Sequence, residues 1–133
     1  MKLVVDTNKL FTFFWSGSLL YKLIKANHRL FSPEFALEEL KNHKPEICYK
    51  AGISSIQFDE FFLNLKKVVT FVPFEDYSEE MSRALSLIKE NLKDLDFIAL
   101  ALSIEGAIVS DDKRLKDQSE IKILNKSEFN ELF

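Results

Sequence analysis

The sequence predicts an α/β domain in which a mostly parallel β-sheet is sandwiched between α-helices, and three observations carry that prediction. Short apolar runs rich in β-branched residues, Leu3-Val-Val5, Val68-Val-Thr-Phe-Val72 and Ala107-Ile-Val109, alternate with stretches of helical apolar spacing. The run from Phe97 to Leu102 is apolar at every position, which calls for a helix buried all round and not for an amphipathic surface helix. A chain of 133 residues, 47% of them hydrophobic, suits one domain over residues 1–133 with a full core.

In chain order, Leu3-Val-Val5 is a buried first strand that stops at Asp6-Thr7-Asn8, where a helix cap begins. Leu19, Leu20, Leu23 and Ile24 recur at helical spacing after Ser18, and Leu30-Phe31 is a brief second strand. Ser32-Pro33-Glu34 reads as a helix start with proline at the first position and Ala36, Leu37 and Leu40 inward. Pro45 opens a helix through Gly52 that carries Ile47 and Cys48 inward, and Ser54 or Ser55 caps the next, with Phe58, Phe61, Phe62 and Leu65 on one face. A helix from Ser78-Glu79 should show Met81, Ala84, Leu85, Ile88 and Leu92 on one side. The Asp94–Asp112 stretch, a strand over Ile121–Leu124 and a helix from Ser127 complete the pattern.

Composition excludes several classes. The formal charge of -3 offers no general attraction to polyanions, so any nucleic-acid role needs local patches or bound metal. Cys48 is the only cysteine, which rules out an internal disulfide and a thiolate zinc site and fits a reducing cytoplasm. The apolar N-terminus is too short for a signal-peptide core and no run approaches membrane-spanning length, so a soluble protein with no membrane association is expected. Thirteen Phe are read as core, although the segment around Phe58, Phe61 and Phe62 also offers a surface that would pack a homodimer or receive a partner peptide.

Acids end the buried elements. Asp6 follows strand one, Asp94 and Asp96 begin the buried helix, Asp111 and Asp112 follow the strand at Ile108-Val109, and Glu38 and Glu39 lie one turn into a helix near the same edge. Each alone reads as a cap or a solvated face. Capping does not explain convergence, and ligands in open parallel sheets gather beyond the carboxyl ends of the strands. Carboxylates without thiolates, and with only two scattered histidines, form a hard oxygen donor set suited to Mg²⁺ or Mn²⁺.

These residues resemble the PIN-domain nucleases, a family that includes the VapC-like toxins of prokaryotic toxin–antitoxin pairs. Leu3-Val-Val-Asp6-Thr-Asn8 is similar to the family's opening motif, Ser32–Leu40 to its second, Lys93–Leu102 to its third and Val109-Ser110-Asp111-Asp112 to its fourth. The resemblance implies a metal-dependent endoribonuclease that cleaves RNA phosphodiester bonds. It implies Asp6, Asp94 and Asp112 as metal ligands and Glu39 as the fourth catalytic acid, with Asn8 and Ser110 in support. Asp96 could share or take over the role of Asp94, and Asp111 is a second acid beside Asp112. An antitoxin protein and a second copy of the chain are the partners that the family brings with it.

Basic residues flank two of the acids: Lys41, His43 and Lys44 after Glu39, and Lys113, Arg114 and Lys116 after Asp112. Lys41, Lys44, Lys113 and Arg114 are candidates for RNA backbone contacts, balanced by the reading that they form a solvated face. Trp15 is read as core or subunit contact ahead of base stacking, and His28 has no assigned role. A haloacid-dehalogenase-type phosphatase would need a second Asp where Asn8 stands, and a receiver domain would need its acidic pair after strand one. A non-catalytic PIN-like module that binds RNA or protein is the alternative from another class.

Overall fold

The computed structural model describes residues 1–15, 28–88, 92–118 and 120–131. Five strands form one parallel sheet: β1 (Lys2–Val5), β2 (Arg29–Pro33), β3 (Val69–Val72), β4 (Ala107–Val109) and β5 (Ile123–Leu124). The order across the sheet is β3-β2-β1-β4-β5. The chain therefore builds outward from β1 through β2 to β3, then returns to the other side of β1 for β4 and β5. The crevice between β1 and β4, where that direction reverses, is the place in such sheets where ligands bind.

Both faces of the sheet are covered, and the strand pattern alternates accordingly. Leu3, Val5, Leu30, Ala107 and Val109 point to one face, where they pack with Leu10, Phe13, Phe14, Leu40, Phe58 and Leu65. These come from α1 (Thr7–Trp15), α2 (Phe35–Asn42) and α4 (Ser55–Val68), joined by Ile47 from α3 (Lys44–Ala51). Val4, Phe31 and Ile108 point to the other face, against Ala84 of α5 (Met81–Leu87) and Phe97 to Ala101 of α6 (Leu95–Ile104). A last helix, α7 (Lys126–Glu131), sets Phe129 into the first core.

The α6 segment is buried from Phe97 through Ala101, with Leu102 half-buried, as expected for a helix wedged between the sheet and α5. Gly52 closes α3 in the left-handed conformation at φ 66°, where glycine carries no Cβ penalty. Ser54, not Ser55, caps α4 through a capping box with Gln57.

Several sequence expectations are corrected. Ser32 and Pro33 do not open a helix; they complete β2, and the Ser32 hydroxyl donates to the Val5 carbonyl at 2.9 Å. The helix starts two residues later. Val68 ends α4 and does not begin β3. The segment after Ser78 starts as a 3-10 turn, and Leu85 and Leu92 are exposed rather than inward. The helix expected after Ser18 lies outside the described residues, as does the Trp15 side chain.

Phe58 and Phe62 are not available as an association surface. Phe58 stacks on Phe14 with ring centroids 4.8 Å apart, Phe62 packs on Phe58, and both are buried. Among the described residues no helix is long and apolar enough to cross a membrane.

Candidate metal-binding cleft

Beyond the carboxyl ends of β1 and β4 lies a cleft of about 820 Å³. Asp6, Glu39, Asp94 and Asp112 all line it, although they come from four separate segments of the chain. Thr7, Asn8, Lys9, Thr12, Phe35, Lys93, Phe97, Ser110 and Asp111 complete its wall. The pairing of Val5 with Val109 across β1 and β4 explains half of this gathering, because it brings the residues that follow each strand, Asp6 and Ser110, out at the same level.

Asp6 is half-buried at the start of α1, where its Oδ1 accepts the Lys9 backbone N–H at 2.9 Å. It is thus an N-cap as well as a cleft acid. Burial pushes its carboxyl above the ordinary value of 3.8. The Lys9 amide and ammonium oppose that rise, the Asp94 charge adds to it, and a hydrogen bond from Ser110 opposes it. Ser110 is 3% exposed, and its oxygen also accepts the Asp112 backbone N–H at 3.2 Å. One serine thereby ties Asp6 to the turn that presents Asp112.

Glu39 is half-buried and accepts the Thr7 hydroxyl at 3.3 Å, whereas Glu38 is exposed and pairs with Lys41 at 3.6 Å. The helical register thus turns Glu39 to the cleft. Asp94 precedes α6 but makes no side-chain cap hydrogen bond, so capping does not account for its place. Its Oδ2 is shielded from solvent.

The neighbouring acids are each engaged by another side chain. Asp96 accepts the Tyr77 hydroxyl at 2.5 Å and lines an adjoining groove that shares only Phe35 with the cleft. Burial, then the Asp96 carboxylate, hold the Tyr77 hydroxyl well above its usual pKa. Asp111 reaches the cleft wall but is exposed and is ion-paired with Lys9.

Among the described side chains, the flanking cations do not line the cleft. Lys44 pairs with Asp59 at 2.9 Å and lies over the Phe58 ring, Lys41 serves Glu38 and the Phe62 ring, and Lys116 pairs with Glu128 at 2.9 Å. Lys113 is exposed on a 3-10 turn, and the Arg114 side chain lies outside the described residues. Among the described residues, the cations in the cleft wall are Lys9 and Lys93. Neither lysine is given a role by the sequence; their signal was only closeness to Asp6 and Asp94 along the chain.

The donor chemistry suits a hard divalent cation: five carboxylates, no thiolate or imidazole among the described residues of the wall, and a half-buried Asp6 carboxyl whose ionisation a second acid opposes. Among the described residues no group of three or more such side chains stands ready to hold a metal ion. A bound cation would offset the repulsion between Asp6 and Asp94.

Comparison with known proteins agrees with this architecture. A family model for the PIN domain matches residues 4–129. No curated protein sequence matches the chain. Among solved structures, VapBC2 from Rickettsia felis, bound to a DNA fragment from its promoter, aligns with a TM-score of 0.62 at 16% identity. The alignment covers 94% of this chain and 98% of that one, and at such low identity the likeness is one of fold.

Proposed function

Because the chain belongs to the PIN domain family, we propose that it is a Mg²⁺- or Mn²⁺-dependent endoribonuclease, acting as the toxin of a toxin–antitoxin pair. The observation that carries this reading is the meeting of Asp6, Glu39, Asp94 and Asp112 in one cleft at the switch point of the sheet. Asp6, Asp94 and Asp112 would hold the cation, and Glu39, which accepts the Thr7 hydroxyl, would orient the attacking water. When bound, the cation supplies a water of lowered pKa and offsets charge that builds on the scissile phosphate. Ser110 keeps Asp6 and the Asp112 turn in register, and exposed Asn8 supports the mouth. Phe35 and Phe97, in edge-to-face contact at 5.6 Å, form the apolar side of the cleft and limit water there.

RNA is the substrate, and Lys93 at the mouth is better placed than Lys41 or Lys44 to meet its backbone. The likeness to a VapBC complex supports an antitoxin partner. A homodimer and a cytoplasmic setting belong to the same reading.

The test is cleavage of labelled RNA with Mg²⁺ or Mn²⁺, with an EDTA control. Wild type should cut only with metal, and Asp6→Asn should lose roughly two or more orders of magnitude in rate. No cleavage by wild type, or equal cleavage by Asp6→Asn, would favour a non-catalytic module that binds RNA or protein.

A further inference from the structure

Lys9 is in an unusual position. It lies in the first turn of α1, where the helix dipole disfavours a cation and favours an acid. Its side chain is nonetheless only 15% exposed, and it reaches from α1 to the turn after β4, where it pairs with Asp111, 102 residues away. It lines the same cleft as Asp6, Glu39, Asp94 and Asp112. A local electrostatic preference is broken here, and the surrounding carboxylates compensate for it.

We propose that Lys9 is a tethered counter-cation of the cleft: it balances the acids in the metal-free chain, holds Asp111 out of the donor set, and so sets the affinity for the divalent ion. The inference rests on the metal-dependent reading above. Two effects of the ammonium point the same way. It offsets the charge of the acids whose cleft it lines, and it repels an incoming dication. By engaging Asp111 it also removes from the site a carboxylate that reaches the cleft wall. Replacing it with an uncharged chain of similar length should therefore weaken the empty protein and strengthen its hold on metal. A lysine with a purely structural role would give the first effect without the second.

The experiment is Mn²⁺ titration by calorimetry and thermal shift without RNA, on wild type, Lys9→Met, Lys9→Arg and the double variant Lys9→Met with Asp111→Asn. Lys9→Met should melt lower than wild type in EDTA yet bind Mn²⁺ about three- to tenfold more tightly. Lys9→Arg keeps the charge and should stay within about twofold of wild type. The double variant should give back part of the gain, because the released carboxylate is gone. Mn²⁺ binding by wild type that is unchanged or weakened in Lys9→Met overturns this inference alone. No Mn²⁺ binding by wild type and Lys9→Met overturns both it and the metal-dependent reading.

Discussion

At the scale of single residues, the cleft stores repulsion that a bound cation would relieve, and Asp6 is where this can be measured. Its carboxyl is raised above 3.8 mainly by burial. Between the unfolded and folded values, the native chain keeps a proton that the unfolded chain has released. Stability is therefore greatest on the acid side of that window and falls as pH rises through the folded value. Asp6→Asn removes this cost while leaving an oxygen to accept the Lys9 amide, since Asn caps helices as well as Asp. In EDTA at pH 7 the variant should melt on the order of a few degrees above wild type, and the gain should vanish below pH 3.8, where both chains are neutral at this position. A melting temperature that is lower at both pH values would show that the charge of Asp6 stabilises the fold. The same residue should be indispensable for cleavage, so stability and activity should move in opposite directions.

At the scale of elements, α6 and its link to β4 position two of the cleft acids. Leu100 is fully buried in the middle of α6, so Leu100→Ala should cost about 2–5 kcal/mol. Urea unfolding would measure it, and a cost below about 1 kcal/mol would show that the helix is not the buried wedge described. Gly106 has no room for a side chain, because a Cβ there would stand 2.9 Å from the Lys2 carbonyl of β1. Gly106→Ala should therefore push β4 from β1, costing about 1–3 kcal/mol, with a reduced Mn²⁺ response because Ser110 and Asp112 follow β4. Most element types were legible from local pattern alone: the short β-branched run Leu3-Val-Val5 and the unbroken apolar run of α6 are properties of neighbouring residues. The exceptions have causes outside the local sequence. Ser32 and Pro33 satisfy a helix-start pattern and a strand end equally well, and the contact of Ser32 with the Val5 carbonyl, 27 residues away, decides between them. Leu85 and Leu92 follow helical spacing but lie beyond the reach of the second core.

At the scale of the whole molecule, binding at the switch point should couple to global stability. With Mn²⁺ at about a hundredfold excess over its Kd, stabilisation of about 2.7 kcal/mol is expected, a rise of roughly 8–12 °C in melting temperature. Asp94→Asn should be more stable than wild type in EDTA and lose most of that rise; unchanged melting curves for both would return the acids to ordinary caps. The formal charge of -3 and the local pairing of Lys41 and Lys44 leave, among the described residues, little cationic surface at the cleft beyond Lys9 and Lys93, so under the proposed function RNA recognition would lean on the metal. By itself, the sequence determined the fold class and the presence of acids at the ends of buried elements, because apolar period and capping are local. It left open which acid of each adjacent pair faces the cleft. Two neighbouring carboxylates have the same chemistry, and their choice depends on partners far away in the chain. Tyr77 takes Asp96, Lys9 takes Asp111, and the strand order sets β4 beside β1 so that Asp94 and Asp112 meet Asp6 and Glu39. Those are long-range contacts, and only the packed tertiary structure forms them.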